Sequence, residues 1–122
     1  MRMQRERGPG GPIVTGFGPG GFRVEESVFT ALLMTVEAAT PWTPPPLAEL
    51  DEAALEPLFL PAPEFILLGT GATLARPSRA LVAALVARGL GIEPMDSRAA
   101  ARAWSVLRGE GRVVAAALYP LS

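Results

Sequence analysis

The stretch FILLGTGATLARP, residues 65–77, decides how this chain is read. FILL is a short continuous apolar run, the pattern of a strand buried on both faces, and it breaks into Gly69-Thr70-Gly71 shortly before Pro77, a residue that a first helical turn tolerates. The helix that follows carries Leu81, Val82, Leu85 and Val86 at i, i+1, i+4 and i+5, and Gly89 supplies a left-handed residue at its end. Burial of all four side chains is expected, at about 1.5–3 kcal/mol each before conformational entropy is subtracted.

Downstream the pattern repeats. IEPM (92–95) reads as the next strand, and Asp96 or Ser97 caps a second helix. Ala99, Ala100, Ala103, Trp104 and Leu107 form its inward stripe, and Gly109 ends it. RVVAAALY (112–119) is a last strand whose unbroken apolar run suits a central position. From Glu64 onward the chain is therefore βαβαβ, with parallel strands as the default.

Upstream, residues 13–36 predict two or three antiparallel strands around the turn GPGG at 18–21. Residues 40–63 contain seven prolines, which leave room only for a short helix near Asp51–Glu56, so the segment reads as a connector wrapped over the core. Residues 1–12, rich in Arg, Gly and Pro, read as a disordered arm, and 13–122 as a single domain of the size that one core supports. The arm lacks the apolar stretch of a secretory signal, and no apolar run approaches the length of a membrane span.

Missing residue types narrow the chemistry. The chain has no Cys, no His and, since all 11 basic residues are Arg, no Lys. Disulfides, thiolate or imidazole metal sites, cysteine nucleophiles, Ser-His-Asp triads and Lys bases are excluded, leaving carboxylates, hydroxyls, one tyrosine and backbone amides. No catalytic residue, no metal ligand and no cofactor is assigned. Arg2, Arg5 and Arg7 are interrupted by Glu6 and the net charge is −1, so nucleic acid is not expected as a partner. The charge is nevertheless polarised: the balance is +1 over residues 1–36, −6 over 37–64 and +4 over 65–122. Either the acidic connector folds back over the basic half, or the two faces admit weak homo-oligomers and charged partners. Arg98 and Arg102 are expected on the exposed face of their helix.

The Gly-Thr-Gly turn is the one candidate site. A dinucleotide fingerprint needs a third glycine where Leu74 stands, and a phosphate-binding P-loop needs a Lys. Backbone amides at 70–72 before a helix could still hold a small anion, with Asp96 and Ser97 on the same sheet edge and Glu110 and Arg112 at the rim. The competing reading is structural: the glycines allow a tight turn, Asp96 is an N-cap, and Glu110 with Arg112 is a surface pair. Trp104 reads as core, and Tyr119 as structural.

The order GTG, a Pro-initiated helix, GIEPMDS (91–97), an Ala-rich helix and LRGEGRVVAAAL (107–118) resembles a small family found in bacteria, archaea and mitochondria. That family includes the archaeal Mth-type domain, the adipogenesis-associated Mth domain protein and a mitochondrial assembly factor for respiratory complex I. The GFG at 16–18 and Pro41-Trp42 fit the same pattern, so the resemblance spans 13–119. It implies a three-layer α/β domain with a mixed central sheet, in which one of the strands taken by default as parallel runs the other way, and it carries over no catalytic residue. The chain departs from the pattern on its last helix, where Ala103, Trp104 and Ser105 replace a Thr-Tyr-Asn-like stretch. The function implied is a cytoplasmic, non-enzymatic assembly or biogenesis protein acting through a protein partner; the alternative is a small-molecule or anion binder using the Gly-Thr-Gly turn.

Overall fold

A computed structural model describes residues 11–122 apart from Pro19. Most of the arm expected over residues 1–12 lies outside the described residues. Within it Pro12 is buried, and its carbonyl accepts a 2.7 Å hydrogen bond from the Trp104 indole N–H.

Among the described residues eight strands and two α-helices follow in the order β1 (Val14–Gly18), β2 (Gly21–Val24), β3 (Ser27–Phe29), β4 (Leu32–Met34), β5 (Ala39–Pro41), β6 (Phe65–Gly69), α1 (Arg79–Ala87), β7 (Gly91–Met95), α2 (Ser97–Gly109) and β8 (Ala115–Leu118). The first three form an antiparallel sheet of their own, β1-β2-β3. The remaining five form the central sheet in the order β5-β4-β8-β6-β7. As the βαβαβ reading requires, β6 pairs in parallel with both β7 and β8. β4 runs antiparallel to β8 and to β5, so the sheet is mixed, but the strand that reverses comes from the N-terminal region and is none of the three taken by default as parallel.

The region 13–36 thus yields four strands, of which β4 leaves the small sheet for the central one. Glu25, at φ +55, turns β2 into β3 without a glycine, which is why composition gave no signal there. Thr35 turns β4 into β5, its hydroxyl accepting from the amides of Glu37 and Ala38. Both edge strands carry a proline, Pro41 in β5 and Pro94 in β7, where a missing donor leaves no ladder bond unmade.

Alternation along the strands builds two cores. On one face Leu33, Ile66, Leu68, Ala115 and Ala117 lie under Leu81 and Leu85 of α1 and under Leu50, Leu55 and Leu58 of the connector. On the other, Leu32, Met34, Leu67, Ala116 and Leu118 lie under Ala100, Ala101 and Trp104 of α2 and under Phe22 and Val24 of the small sheet. The result is three layers. The connector holds two 3₁₀ turns, Leu47–Glu49 and Ala53–Leu58, in place of the single short helix expected, because its prolines interrupt any longer hydrogen-bond run. It folds back over the basic half, with ion pairs Glu52–Arg88 at 2.5 Å and Glu64–Arg112 at 2.8 Å.

Three local expectations are corrected. α1 starts at Arg79, beyond Pro77, because the Ser78 hydroxyl accepts from the Leu81 amide at 3.1 Å and makes Ser78 the N-cap. α2 ends in a Schellman motif whose left-handed residue is Gly111, with Arg112 N–H on the Leu107 carbonyl, while Gly109 is its last helical residue. The inward stripe of α2 runs through Ala100, Ala101 and Trp104, with Ala99, Ala103 and Leu107 only partly buried on its flanks.

A fourth correction concerns the stripe of α1. Leu81 and Leu85 are 2% and 0% exposed, whereas Val82 and Val86 are 36% and 62% exposed. The helix packs on β6 and the edge strand β7, and among the described residues no further strand lies beyond β7 for the valines to pack on. Leu85→Ala should therefore lower the unfolding free energy by about 2–5 kcal/mol, and Val86→Ala should stay within about 0.5 kcal/mol of wild type. Urea denaturation distinguishes them, as a fall in the midpoint at unchanged slope for the leucine variant alone.

Candidate functional site

The Gly-Thr-Gly turn closes the C-terminal edge of β6, where β7 and β8 also end. Gly69 is the last residue of β6, and a Cβ placed on it would lie 2.8 Å from Leu118 Cδ2 and Ser97 Oγ and 2.9 Å from Ser97 Cα. Helix α2 therefore enters against bare backbone. Gly71 has φ +108, a conformation that L side chains rarely adopt, although a Cβ there would make only an ordinary contact, 3.5 Å from the Pro120 carbonyl oxygen. One glycine permits close approach and the other permits the turn.

The amides of Thr70 and Gly71 and the hydroxyls of Thr70 and Ser97 are bonded within the protein. Thr70 N–H donates to the Met95 carbonyl at 2.8 Å, and the Thr70 hydroxyl donates to the Thr73 carbonyl at 2.8 Å while accepting from Ala75 N–H at 2.9 Å. Gly71 N–H donates to Ser97 Oγ at 2.9 Å, and Ser97 Oγ–H donates to the Tyr119 carbonyl at 2.8 Å. The backbone adds Ser97 N–H to the Gly71 carbonyl at 2.8 Å and Tyr119 N–H to the Gly69 carbonyl at 2.9 Å. Asp96 is the N-cap, accepting from Ala99 N–H at 2.9 Å, which leaves the buried Ser97 hydroxyl for the strand ends. The amides of Thr70 and Gly71 thus point at protein acceptors. The α1 N-terminus, capped by Ser78, is several residues further along the chain.

The fold brings together five of the seven candidate residues: Gly69, Thr70, Gly71, Asp96 and Ser97. Glu110 and Arg112 are elsewhere, because α2 runs back across the sheet and delivers its C-terminal end to the edge where the strands begin. There Arg112 donates to Glu64 through Nε at 3.1 Å and Nη2 at 2.8 Å, and its guanidinium holds the Glu64 carboxyl below the usual carboxylate range. Glu110 stands 4.0 Å from Arg112. Both belong to an exposed ion-pair cluster.

Tyr119 completes the hub from the other side. Its hydroxyl donates to the Pro45 carbonyl at 2.8 Å, and its ring meets Trp42 edge-to-face at 5.1 Å. Burial pushes its pKa from 10.0 to about 12. Trp104 is fully buried, in keeping with a core role. Arg98 and Arg102 are exposed and lie over the Phe17 ring, at 4.8 and 6.0 Å. The bond from Trp104 to Pro12 has no sequence signal, since nothing in local spacing connects residues so far apart in the chain. Two adjacent capping types, Asp96 and Ser97, were a usable signal that one hydroxyl would be free for another task. Among the described residues no group of three or more Asp or Glu side chains is placed to hold a metal.

Two measurements check this geometry. Ser97→Ala leaves Gly71 N–H and the Tyr119 carbonyl buried without their partner, at about 1–3 kcal/mol for each stranded group, so the urea midpoint should fall markedly. Tyr119 is the chain's single tyrosine, so tyrosinate absorbance reports it alone. Its folded midpoint should lie near 12, against 10.0 for the unfolded chain. The raised value means that the neutral phenol is the form folding favours: the contribution is complete below pH 10 and is lost as pH rises toward 12. In Tyr119→Phe that alkaline loss should be absent.

Comparison with known proteins then places the chain. The model of a family described as protein of unknown function (DUF498/DUF598) matches residues 14–119. An uncharacterised protein of Rhodobacter capsulatus is 39% identical over 119 residues, covering 96% of this chain and 92% of the relative. NADH dehydrogenase [ubiquinone] 1 alpha subcomplex assembly factor 3 of Danio rerio is 29% identical over 121 residues, 97% of this chain and 69% of that protein. Among solved structures, a Mth938-like domain of Bordetella pertussis superimposes with a TM-score of 0.72 at 30% identity, covering 100% of this chain and 94% of that one. The strands, the helices and the turn that joins them are therefore those of a shared architecture, and the chain belongs to the DUF498/DUF598 family, with the Mth938-like fold.

Proposed function

We propose that this protein is a non-enzymatic assembly or biogenesis factor that works in the cytoplasm through a protein partner, serving a respiratory or other membrane complex. The observation that carries the reading is the internal closure of the Gly-Thr-Gly hub. The residues that hold the family resemblance, Gly69 to Gly71 and Asp96-Ser97, engage one another to close the sheet. What they share with relatives is then architecture, and function falls to the surface around them. The relative in Danio rerio whose name is that of an assembly factor supports the direction. A chain without His, Cys or Lys also lacks imidazole and amine bases and a thiol nucleophile. No helix among the described residues is long and apolar enough to cross a membrane.

The test uses the Rhodobacter capsulatus relative. Deleting its gene should lower NADH:quinone oxidoreductase activity in isolated membranes and leave partial complexes on native gels, and this chain, expressed in the deletion strain, should restore both. Unchanged activity and a normal complex after deletion would falsify the assembly reading. On the non-enzymatic side, calorimetry should detect no saturable binding of NAD or ATP at millimolar concentration, since neither phosphate-binding fingerprint is present; a saturable isotherm for either would count against it.

A further inference from the structure

The two valines that α1 leaves uncovered line a cleft of about 510 Å³ between that helix and the edge strand β7. Val82 and Val86 face Ile92 and Pro94 across it, and Arg76 and Arg79 stand at the end nearest the start of the helix. The lining is apolar apart from these two guanidinium groups. Among the described residues neither Arg76 nor Arg79 has an ion-pair partner, whereas Arg88 is paired with Glu52 and Arg112 with Glu64. An aliphatic trough with two unneutralised cations at one end is complementary to a ligand that is apolar along its length and anionic at one end.

We infer that this cleft docks an extended, aliphatic segment of a partner protein whose acidic residues meet Arg76 and Arg79. The inference rests on the partner-mediated reading above and names the surface and the chemistry of what it binds. Spacing favours an extended chain. Val82 and Val86, one helical turn apart, are separated by about 6 Å along the axis, close to the roughly 6.7 Å between alternate side chains of an extended strand. The cleft is open along its side, which suits a polypeptide that enters laterally better than a small molecule that must be enclosed. Pro94 and the valines would contribute apolar burial, and the arginines would set polarity and direction.

The probe is a short, capped, fluorescent peptide in which two glutamates precede two leucines separated by a serine, together with its reversed sequence. One of the two should bind saturably at submillimolar concentration, with amide shifts at Arg76, Val82, Val86 and Ile92. Charge reversal in R76E/R79E, and separately V82S/V86S, should each weaken binding by about tenfold or more at unchanged melting temperature, because the four side chains are exposed. Lysines in place of the glutamates should abolish it. Absence of binding by both peptides at millimolar concentration, shifts confined to another face, equal affinity for the lysine version, or binding of laurate in place of either peptide would overturn the proposal. The two readings fail separately. An R76E/R79E chain that fully restores the deletion strain removes the cleft and leaves the assembly role standing, whereas a deletion without phenotype removes the assembly role and leaves the peptide titration to judge the cleft.

Discussion

One buried hydroxyl ties the molecule together. Ser97 Oγ accepts from Gly71 N–H and donates to the Tyr119 carbonyl, so the turn after β6, the exit of β8 and the first turn of α2 are fixed by the same atom. The arrangement works only because Gly69 presents no side chain, since a Cβ would fall within 2.9 Å of the Ser97 backbone. A buried hydroxyl with both its donor and its acceptor engaged costs little, whereas removing it strands two backbone groups in a dry environment. The same closure directs the amides of Thr70 and Gly71 inward, so the stretch that most resembles a phosphate loop acts as a clasp between the helix and the sheet.

From that clasp the order of forces over the rest of the chain can be ranked. The connector is held at Tyr119, whose hydroxyl reaches Pro45 and whose ring packs against Trp42. Its three buried leucines, Leu50, Leu55 and Leu58, each contribute about 1.5–3 kcal/mol of apolar burial before entropy. The ion pairs Glu52–Arg88 and Glu64–Arg112 look conspicuous, but they are exposed, and such pairs contribute about 0–1 kcal/mol. Burial therefore fixes the connector, and the ion pairs add little to it. The connector's prolines help from the other side of the equilibrium, by restricting the unfolded chain.

How much of this was legible depends on the range of the interaction. The parallel β6, β7 and β8 and the helices between them follow from runs such as FILL and VVAAAL and from caps such as Asp96, because each is decided within a few residues. The antiparallel β4 was not legible from its own residues, since LLM reads equally well in either direction; the family resemblance implied a mixed sheet but did not say that β4 is the strand that reverses. Of the candidate site, the meeting of Gly69, Thr70, Gly71, Asp96 and Ser97 was legible from the rule that loops after parallel strands share one edge. That the meeting is filled by its own hydrogen bonds was not, because the sequence does not say which of two adjacent hydroxyl or carboxyl side chains caps the helix. Glu110 and Arg112 were misplaced for a topological reason: a helix that follows a strand ends on the opposite edge from where it began.

The stripe on α1 carries the broader point about reading surfaces. A pattern of apolar residues at i, i+1, i+4 and i+5 states how wide the apolar face of a helix is, and says nothing about how wide the support beneath it will be. Above a central strand both rows would be covered. Above β7, an edge strand whose proline discourages another strand from adding to the sheet, only the row of Leu81 and Leu85 reaches the core. The row of Val82 and Val86 is left over the rim, with Ile92 and Pro94 below it and, at its head, Arg76 and Arg79, which have no ion-pair partner among the described residues. A protein that blocks strand addition at an edge while keeping aliphatic side chains exposed beside it retains a surface that side chains of another chain can enter without extending the sheet. In a molecule whose most motif-like turn is occupied with holding itself shut, that rim is where recognition has room to act.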